Sequence, residues 1–186
     1  NGLSGQMARR SRLIHAQADL LAASPPASPI VAAGSTGSIP ATAELLKTIA
    51  WLPLGAVVLP GLDLDLDDES WRALEPQHPQ YGLRELLAHI GITRDEDIAI
   101  GEAHNADPSW FLSEVMRPRR TSEKWREAVA GGTGRLAAAC DGLNWLEAPE
   151  QQGEAVAVAM LMRRVLEEPE RTAALFKPDR QLARRV

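Results

Sequence analysis

Pro29-Ile-Val-Ala-Ala-Gly-Ser-Thr-Gly-Ser-Ile-Pro-Ala-Thr-Ala-Glu-Leu-Leu-Lys-Thr-Ile49 sets the expectation for the fold, because an apolar run, a small-residue turn and an amphipathic segment succeed one another directly. Ile30 to Ala33 is short, apolar and partly β-branched, the pattern of a strand buried on both faces of a parallel sheet. Pro40 suits the first turn of a helix, where its missing N–H would be unpaired anyway. Leu45, Leu46 and Ile49 then form a stripe at helical spacing. Between strand and helix lies Gly34-Ser35-Thr36-Gly37-Ser38, a loop able in principle to aim backbone N–H groups at an anion near a helix N-terminus. A phosphate-binding loop of the Gly-x-x-x-x-Gly-Lys-Ser/Thr kind needs a lysine, and no Lys lies between Arg12 and Lys47. An ordinary βα turn is the better expectation.

Working outward, Ala56 to Leu59 gives a second buried strand, ended by Pro60-Gly61. Two apolar strands separated by a helix make a βαβ unit, which closes as a right-handed crossover with the strands parallel. Upstream, Met7 to Ala23 is an amphipathic helix broken by Ser24-Pro-Pro-Ala-Ser-Pro29.

Downstream, Leu62-Asp-Leu-Asp-Leu-Asp-Asp-Glu69 places Asp63, Asp65 and Asp67 at the first, third and fifth positions of a calcium loop. Asp68 stands where that loop needs Gly and Leu74 where it needs a bidentate Glu, so no metal site is expected. Asp67 to Ser70 serves instead as the capped start of a helix through Trp71 and Leu74. Asp63 falls just past the end of the second strand, where α/β proteins place ligands. Tyr81 to Ile90 is a helix stopped by Gly91. His78 and His89 have no metal-spaced partner. Asp97 to Ile100 suggests another short strand. Trp110, Phe111, Val115 and Met116 make a helical stripe, and a new helix starts at Thr121 and runs to Gly131-Gly132. The basic cluster Arg117, Arg119, Arg120, Lys124 and Arg126 offers phosphate contact, with Trp110 and Trp125 as stacking platforms for single-stranded DNA. The competing expectation is a solvated junction balanced by Glu114, Glu123 and Glu127. Leu143 to Glu147 and Thr172 to Phe176 are expected as strands flanking a helix over Glu150 to Glu167, a second βαβ unit. Lys177-Pro178-Asp179 would cap a helix from Arg180.

With 45% hydrophobic and 24% charged residues in 186, the chain can bury a core, and its net charge of −5 argues against a freestanding nucleic-acid binder. The single cysteine, Cys140, excludes an internal disulfide framework and a Cys-based metal cluster, and points to the cytoplasm. Beside Ala137, Ala138 and Ala139 it is expected as a packed small residue. No apolar run approaches the roughly 20 residues that a bilayer requires. The start at Asn1 without Met and the stop at Val186 suggest a piece of a longer protein.

Several long motifs carry a resemblance. Val31-Ala-Ala-Gly-Ser-Thr-Gly-Ser-Ile-Pro-Ala-Thr-Ala-Glu-Leu-Leu46, Gly55-Ala-Val-Val-Leu-Pro-Gly-Leu-Asp63, His78-Pro-Gln80, Ser113-Glu114 with Arg117-Pro118, and Pro178-Asp-Arg180 with Leu182-Ala-Arg-Arg-Val186 resemble the alphaproteobacterial AddB family. Its members are subunits of the AddAB ATP-dependent helicase–nuclease of double-strand break repair, with an inactivated superfamily I helicase half. The resemblance implies a RecA-like (P-loop NTPase-type) three-layer α/β fold with a mainly parallel sheet. It also implies an N-terminal helix and linker over 1–28, the end of one helicase-like lobe over 29–142 and the start of a second over 143–186. In active relatives of that helicase superfamily the third motif reads Gly-Asp-x-x-Gln. Aligning Gly34 with its Gly puts Ser35 in place of Asp and Ser38 in place of Gln, which removes both coupling groups. The resemblance thus implies a noncatalytic scaffold with no cofactor and no catalytic residue, partnered by an AddA-like helicase–nuclease subunit and by DNA. The alternative from the residues alone is a nucleotide-binding or hydrolytic α/β enzyme using the Gly34 to Ser38 loop.

Overall fold

The computed structural model describes residues 5–96, 106–131 and 133–176. The chain divides into two compact units, Asn1–Asp141 and Gly142–Val186.

In the first unit, α1 (Gln6–Ala23), β1 (Ile30–Ala33), α2 (Pro40–Ala50) and β2 (Gly55–Val58) come in the expected order. The strands are parallel, with Ile30 opposite Gly55 and Ala33 opposite Val58. Pro40 lies in the first turn of α2, after Ile39 in extended conformation. The apolar stripe of α2 buries Ala43, Leu46 and Ile49. Ala43 and Leu46 meet Leu86 and Ile90 in a core that Ala32 and Val57 join from the strands. Burial of each large aliphatic side chain there contributes about 1.5–3 kcal/mol. α1 rests on the same helix, burying Ala18 and half-burying Ile14 and Leu21 on one face. The α2 to β2 connection is tight. A Cβ at residue 55 would lie 1.8 Å from the Ile49 carbonyl oxygen, so only Gly fits.

α3 (Asp68–Arg72) and α4 (Tyr81–Ile90) come next, and Gly91 ends α4 in left-handed conformation at φ 91°. A 3-10 turn covers Arg94–Glu96. α5 (Ala106–Val115), a 3-10 helix over Arg119–Lys124, α6 (Trp125–Gly131) and α7 (Thr133–Ala139) complete the described part of this unit. A 3-10 stretch already begins at Arg119, but the chain kinks at Thr121, whose backbone is non-helical, so a separate helical segment starts there as expected. α7 is an element the sequence pattern did not suggest. Its Thr-Gly-Arg-Leu-Ala-Ala-Ala composition has too few large apolar residues to show a period.

The expected three-layer, RecA-like α/β fold is corrected by these elements. The described chain is mostly helical, and its sheet has two four-residue strands. α2 covers one face of that sheet, while Val31 on the other face is 61% exposed. The second βαβ unit is also corrected. In the second unit α8 (Gln151–Leu166) forms as expected, but Leu143 to Glu147 and Thr172 to Phe176 have no regular secondary structure. Trp145 and Phe176 are both 92% exposed, so the apolar residues that suggested buried strands are not buried. A five-residue apolar run becomes a strand only when a neighbouring backbone takes its N–H and C=O groups, and no described segment does so. The strand expected over Asp97 to Ile100 and the helix expected from Arg180 lie outside the described residues.

Candidate functional site

The loop between β1 and α2 is built on two left-handed glycines, Gly34 at φ 74° and Gly37 at φ 63°. Two of its amide groups are used within the fold. The Gly34 N–H donates to the Val58 carbonyl at 3.2 Å, extending the ladder to β2, and the Gly37 N–H donates to Ser35 Oγ at 3.3 Å. A Cβ at Gly37 would lie 2.7 Å from Leu86 Cδ1, so the loop sits directly against α4. Ser35 is half-buried, while Thr36 and Ser38 are exposed. Two of the N–H groups that could have cradled an anion are thus already used within the fold.

The acidic run is likewise held by backbone and long polar side chains. Asp63 Oδ1 accepts the N–H groups of Asp65 and Leu66, both at 3.0 Å, forming a side-chain-closed turn. Gln80 spans the turn, accepting from the Asp63 N–H and donating to the Gly61 carbonyl. Arg94 donates to the carbonyls of Asp63 and Leu66, pairs with Asp68 and stacks 4.5 Å from the Trp71 ring. Asp67 caps α3 as expected, accepting from the Ser70 N–H at 3.1 Å. Among the described residues no group of three or more His, Cys, Asp or Glu side chains is placed to hold a metal ion.

Asp67 also anchors the basic cluster. Arg117 pairs with Asp67 and Glu114 and donates to Ser70 Oγ at 2.7 Å, and Lys124 pairs with Asp67 at 2.8 Å and Glu69 at 2.7 Å. Ser70 Oγ lies 2.7 Å from Thr121 Oγ1, and both hydroxyls are buried. Burial alone would raise the Asp67 carboxyl, but hydrogen bonds from Lys124, Arg117 and Ser70 outweigh it and hold the group well below the usual carboxylate range. The Arg117 guanidinium is raised, chiefly by Glu114 against the opposing effect of burial and then by Asp67. Lys124 is raised by Asp67 and Glu69. Arg120 pairs with Glu75 at 3.2 Å. Arg119 and Arg126 are exposed, and no carboxylate among the described residues pairs with either. The five basic residues are therefore not one surface: Arg117 and Lys124 brace α3 against the segment after α5, and two arginines face solvent.

The aromatic residues behave differently. Trp110, Phe111, Val115, Trp125, Val129 and Leu136 converge from α5, α6 and α7 on an open apolar hollow of about 240 Å³, with Glu114 also on its wall. The Trp125 indole N–H donates to the Glu114 carbonyl. Arg135 stacks 4.4 Å from the Trp110 ring and pairs with Asp107 at 3.0 Å.

His78 is committed on both ring nitrogens, Nε2 facing the Met116 carbonyl at 2.6 Å and Nδ1 facing the Gln80 N–H at 3.1 Å. His89 meets Glu44 across α2 and α4 at 2.9 Å. Cys140 is a half-buried free thiol. Sequence reasoning missed Arg94 and the contacts that Gln80, Ser70 and Thr121 make with residues 17 to 51 positions away, which leave no local pattern. No helix of the described residues is long and apolar enough to cross a membrane. Neither a family model, nor a curated protein, nor a solved structure matches the chain.

Proposed function

We propose that the chain is a noncatalytic module of an AddAB-type ATP-dependent helicase–nuclease in double-strand DNA break repair and recombination. It acts in the cytoplasm as a scaffold for docking of an AddA-like subunit and for the DNA path. The reading rests on the sequence resemblance and is independent of a three-layer fold. The observation that supports it is how Gly34 and Gly37 tie the Gly34 to Ser38 loop to the fold. The Gly34 and Gly37 amides are spent on Val58 and Ser35, and Gly37 packs on Leu86. That arrangement suits a structural βα turn, in keeping with a resemblance that puts Ser35 and Ser38 where active helicases carry their coupling groups. The locked Arg117 and Lys124 support the same conclusion, since charges that brace α3 are not offered to phosphate.

Calorimetry with ATP and magnesium tests the reading against the alternative of a nucleotide-binding or hydrolytic enzyme at this loop. No binding heat and no phosphate release are expected. Steady ATP turnover that disappears in Ser35→Ala or Ser38→Ala overturns it. Co-purification with an AddA-like subunit supplies the positive arm, with a stoichiometric complex expected.

A further inference from the structure

Asp141-Gly142 is the one place in the sequence where an aspartate precedes a glycine. α7 winds down just ahead of it. The Cys140 N–H still reaches the Leu136 carbonyl at 3.0 Å, and the Asp141 N–H reaches the Ala138 carbonyl at 3.2 Å. The next N–H, that of Gly142, takes no acceptor among the described residues. Gly142 has a left-handed backbone at φ 79°, and the space where a Cβ would project is open. Asp141 and Gly142 are both exposed, as is every residue from Leu143 to Glu147, a stretch without regular secondary structure. No donor among the described residues meets the Asp141 carboxylate.

Other described aspartates are held. Asp63 Oδ1 accepts the N–H groups of Asp65 and Leu66, Asp67 caps α3, and Asp68 and Asp107 pair with Arg94 and Arg135. Asp19 lies inside α1, where the N–H that follows it belongs to the helix ladder. Every aspartate but Asp141 is also followed by a residue with a side chain. A five-membered ring closes when an aspartate Cγ meets the next main-chain nitrogen. Closure is easiest where the carboxyl group is free to turn, the amide has no acceptor and no Cβ on the next residue stands in the way. All three conditions coincide at Asp141-Gly142.

We infer that Asp141 is a site of spontaneous isoaspartate formation in the folded protein. The Gly142 nitrogen attacks Cγ of the protonated carboxyl group. The N–Cγ bond forms while the amide proton and the carboxyl hydroxyl depart as water, leaving a succinimide. Water then opens the ring. Cleavage between nitrogen and Cγ restores aspartate, and cleavage between nitrogen and the main-chain carbonyl carbon gives isoaspartate. The water lost is regained, so no oxidant, metal or enzyme takes part. The product carries the main chain through Cβ, and the connection from Asn1–Asp141 to Gly142–Val186 gains one carbon. The α-carboxylate that it exposes is the group that isoaspartyl methyltransferases esterify. The inference is independent of the docking reading above.

The test ages the whole 186-residue chain at neutral pH and body temperature beside a blocked synthetic peptide covering residues 138–146. Isoaspartate is counted with a protein-L-isoaspartate methyltransferase and labelled S-adenosylmethionine, then assigned by peptide mapping. The isomer elutes apart at unchanged mass, and the succinimide is lighter by one water. Mapping also sets aside Asn1-Gly2, whose deamidation changes the mass. Isoaspartate is expected at position 141 ahead of every other described aspartate, at a rate within about tenfold of the peptide's, because the turn reacts without opening the fold. Asp141→Glu abolishes the signal, since the longer side chain has to close a six-membered ring. Asp141→Asn speeds it, since an amide loses ammonia more readily than a carboxyl group loses water. Far-ultraviolet circular dichroism confirms that both variants stay folded. A rate more than about tenfold below the peptide's means that the fold protects the turn, and it overturns the inference. So do a peptide that does not react, a signal at position 141 that persists in Asp141→Glu, and isoaspartate that forms equally at Asp19 or Asp63.

Discussion

Replacing Arg117 by Met removes the charge that joins Asp67, Glu114 and Ser70 while retaining an unbranched apolar stem. Arg117 is 6% exposed, and its partners Glu114 and Asp67 are 13% and 37% exposed. Breaking a fully buried pair from one side costs about 3–5 kcal/mol, because the remaining charge is stranded. Asp67 keeps Lys124 and partial contact with water, so the cost falls below that range, and Glu114 supplies most of the penalty. The expected loss is about 2–3 kcal/mol, or a melting temperature lowered by about 5–10 °C for a chain of this size. Urea denaturation followed by tryptophan fluorescence measures it directly, since Trp125 is hydrogen-bonded to the Glu114 carbonyl. Arg126→Met is the control and stays within about 0.5 kcal/mol. A loss below about 1 kcal/mol for Arg117→Met, or one matched by the control, refutes the assignment of Arg117 to a structural brace.

Acid titration provides a second check: the Asp67 carboxyl is lowered on folding, so its contribution is complete above the unfolded value of about 3.9 and is lost as pH falls through the lower folded value. Stability is thus expected to drop below about pH 4, and the gap between wild type and Arg117→Met to narrow there. Gly55→Ala forces a Cβ to 1.8 Å from the Ile49 carbonyl oxygen and is expected to cost about 3 kcal/mol or more; a melting curve matching wild type refutes the tight connection. Gly37→Ala meets both a left-handed φ and the Leu86 methyl at 2.7 Å, whereas Gly34→Ala meets the left-handed φ alone. Gly34→Ala is expected to cost about 1 kcal/mol and Gly37→Ala clearly more, and the reverse order in denaturant midpoints contradicts the packing of the loop on α4. Trp51→Phe deletes the 3.1 Å bond from the indole N–H to the Ile90 carbonyl and should cost about 1 kcal/mol, checked by hydrogen exchange at the end of α4.

The opening strand, turn and helix were legible because each of their signals is local. β1 is bounded by Pro29 and Gly34, α2 starts at Pro40, and α4 ends at Gly91 with its apolar stripe inward. The capping role of Asp67 was legible for the same reason, its partner Ser70 being three residues away. What the sequence could not reveal was how many strands would assemble. Leu143 to Glu147 has the apolar content of a strand, yet pairing depends on a second backbone that composition does not specify. The basic cluster failed as a surface for a related reason. Five cations close together in sequence look like one patch, but Arg117 and Lys124 have partners at Asp67, 50 and 57 residues away.

The bare face of the two-stranded sheet bears on how the protein behaves in concentrated solution. No charged residue occurs from Leu20 to Ala43, so the net charge of −5 is carried elsewhere and gives β1 no local repulsion. Among the described residues no third strand pairs with either strand, and Val31 projects into solvent beside the free backbone of the edge. Colloidal stability is therefore governed by where charge lies along the chain: a single lysine at position 31 should raise solubility more than several added to α1 or α8.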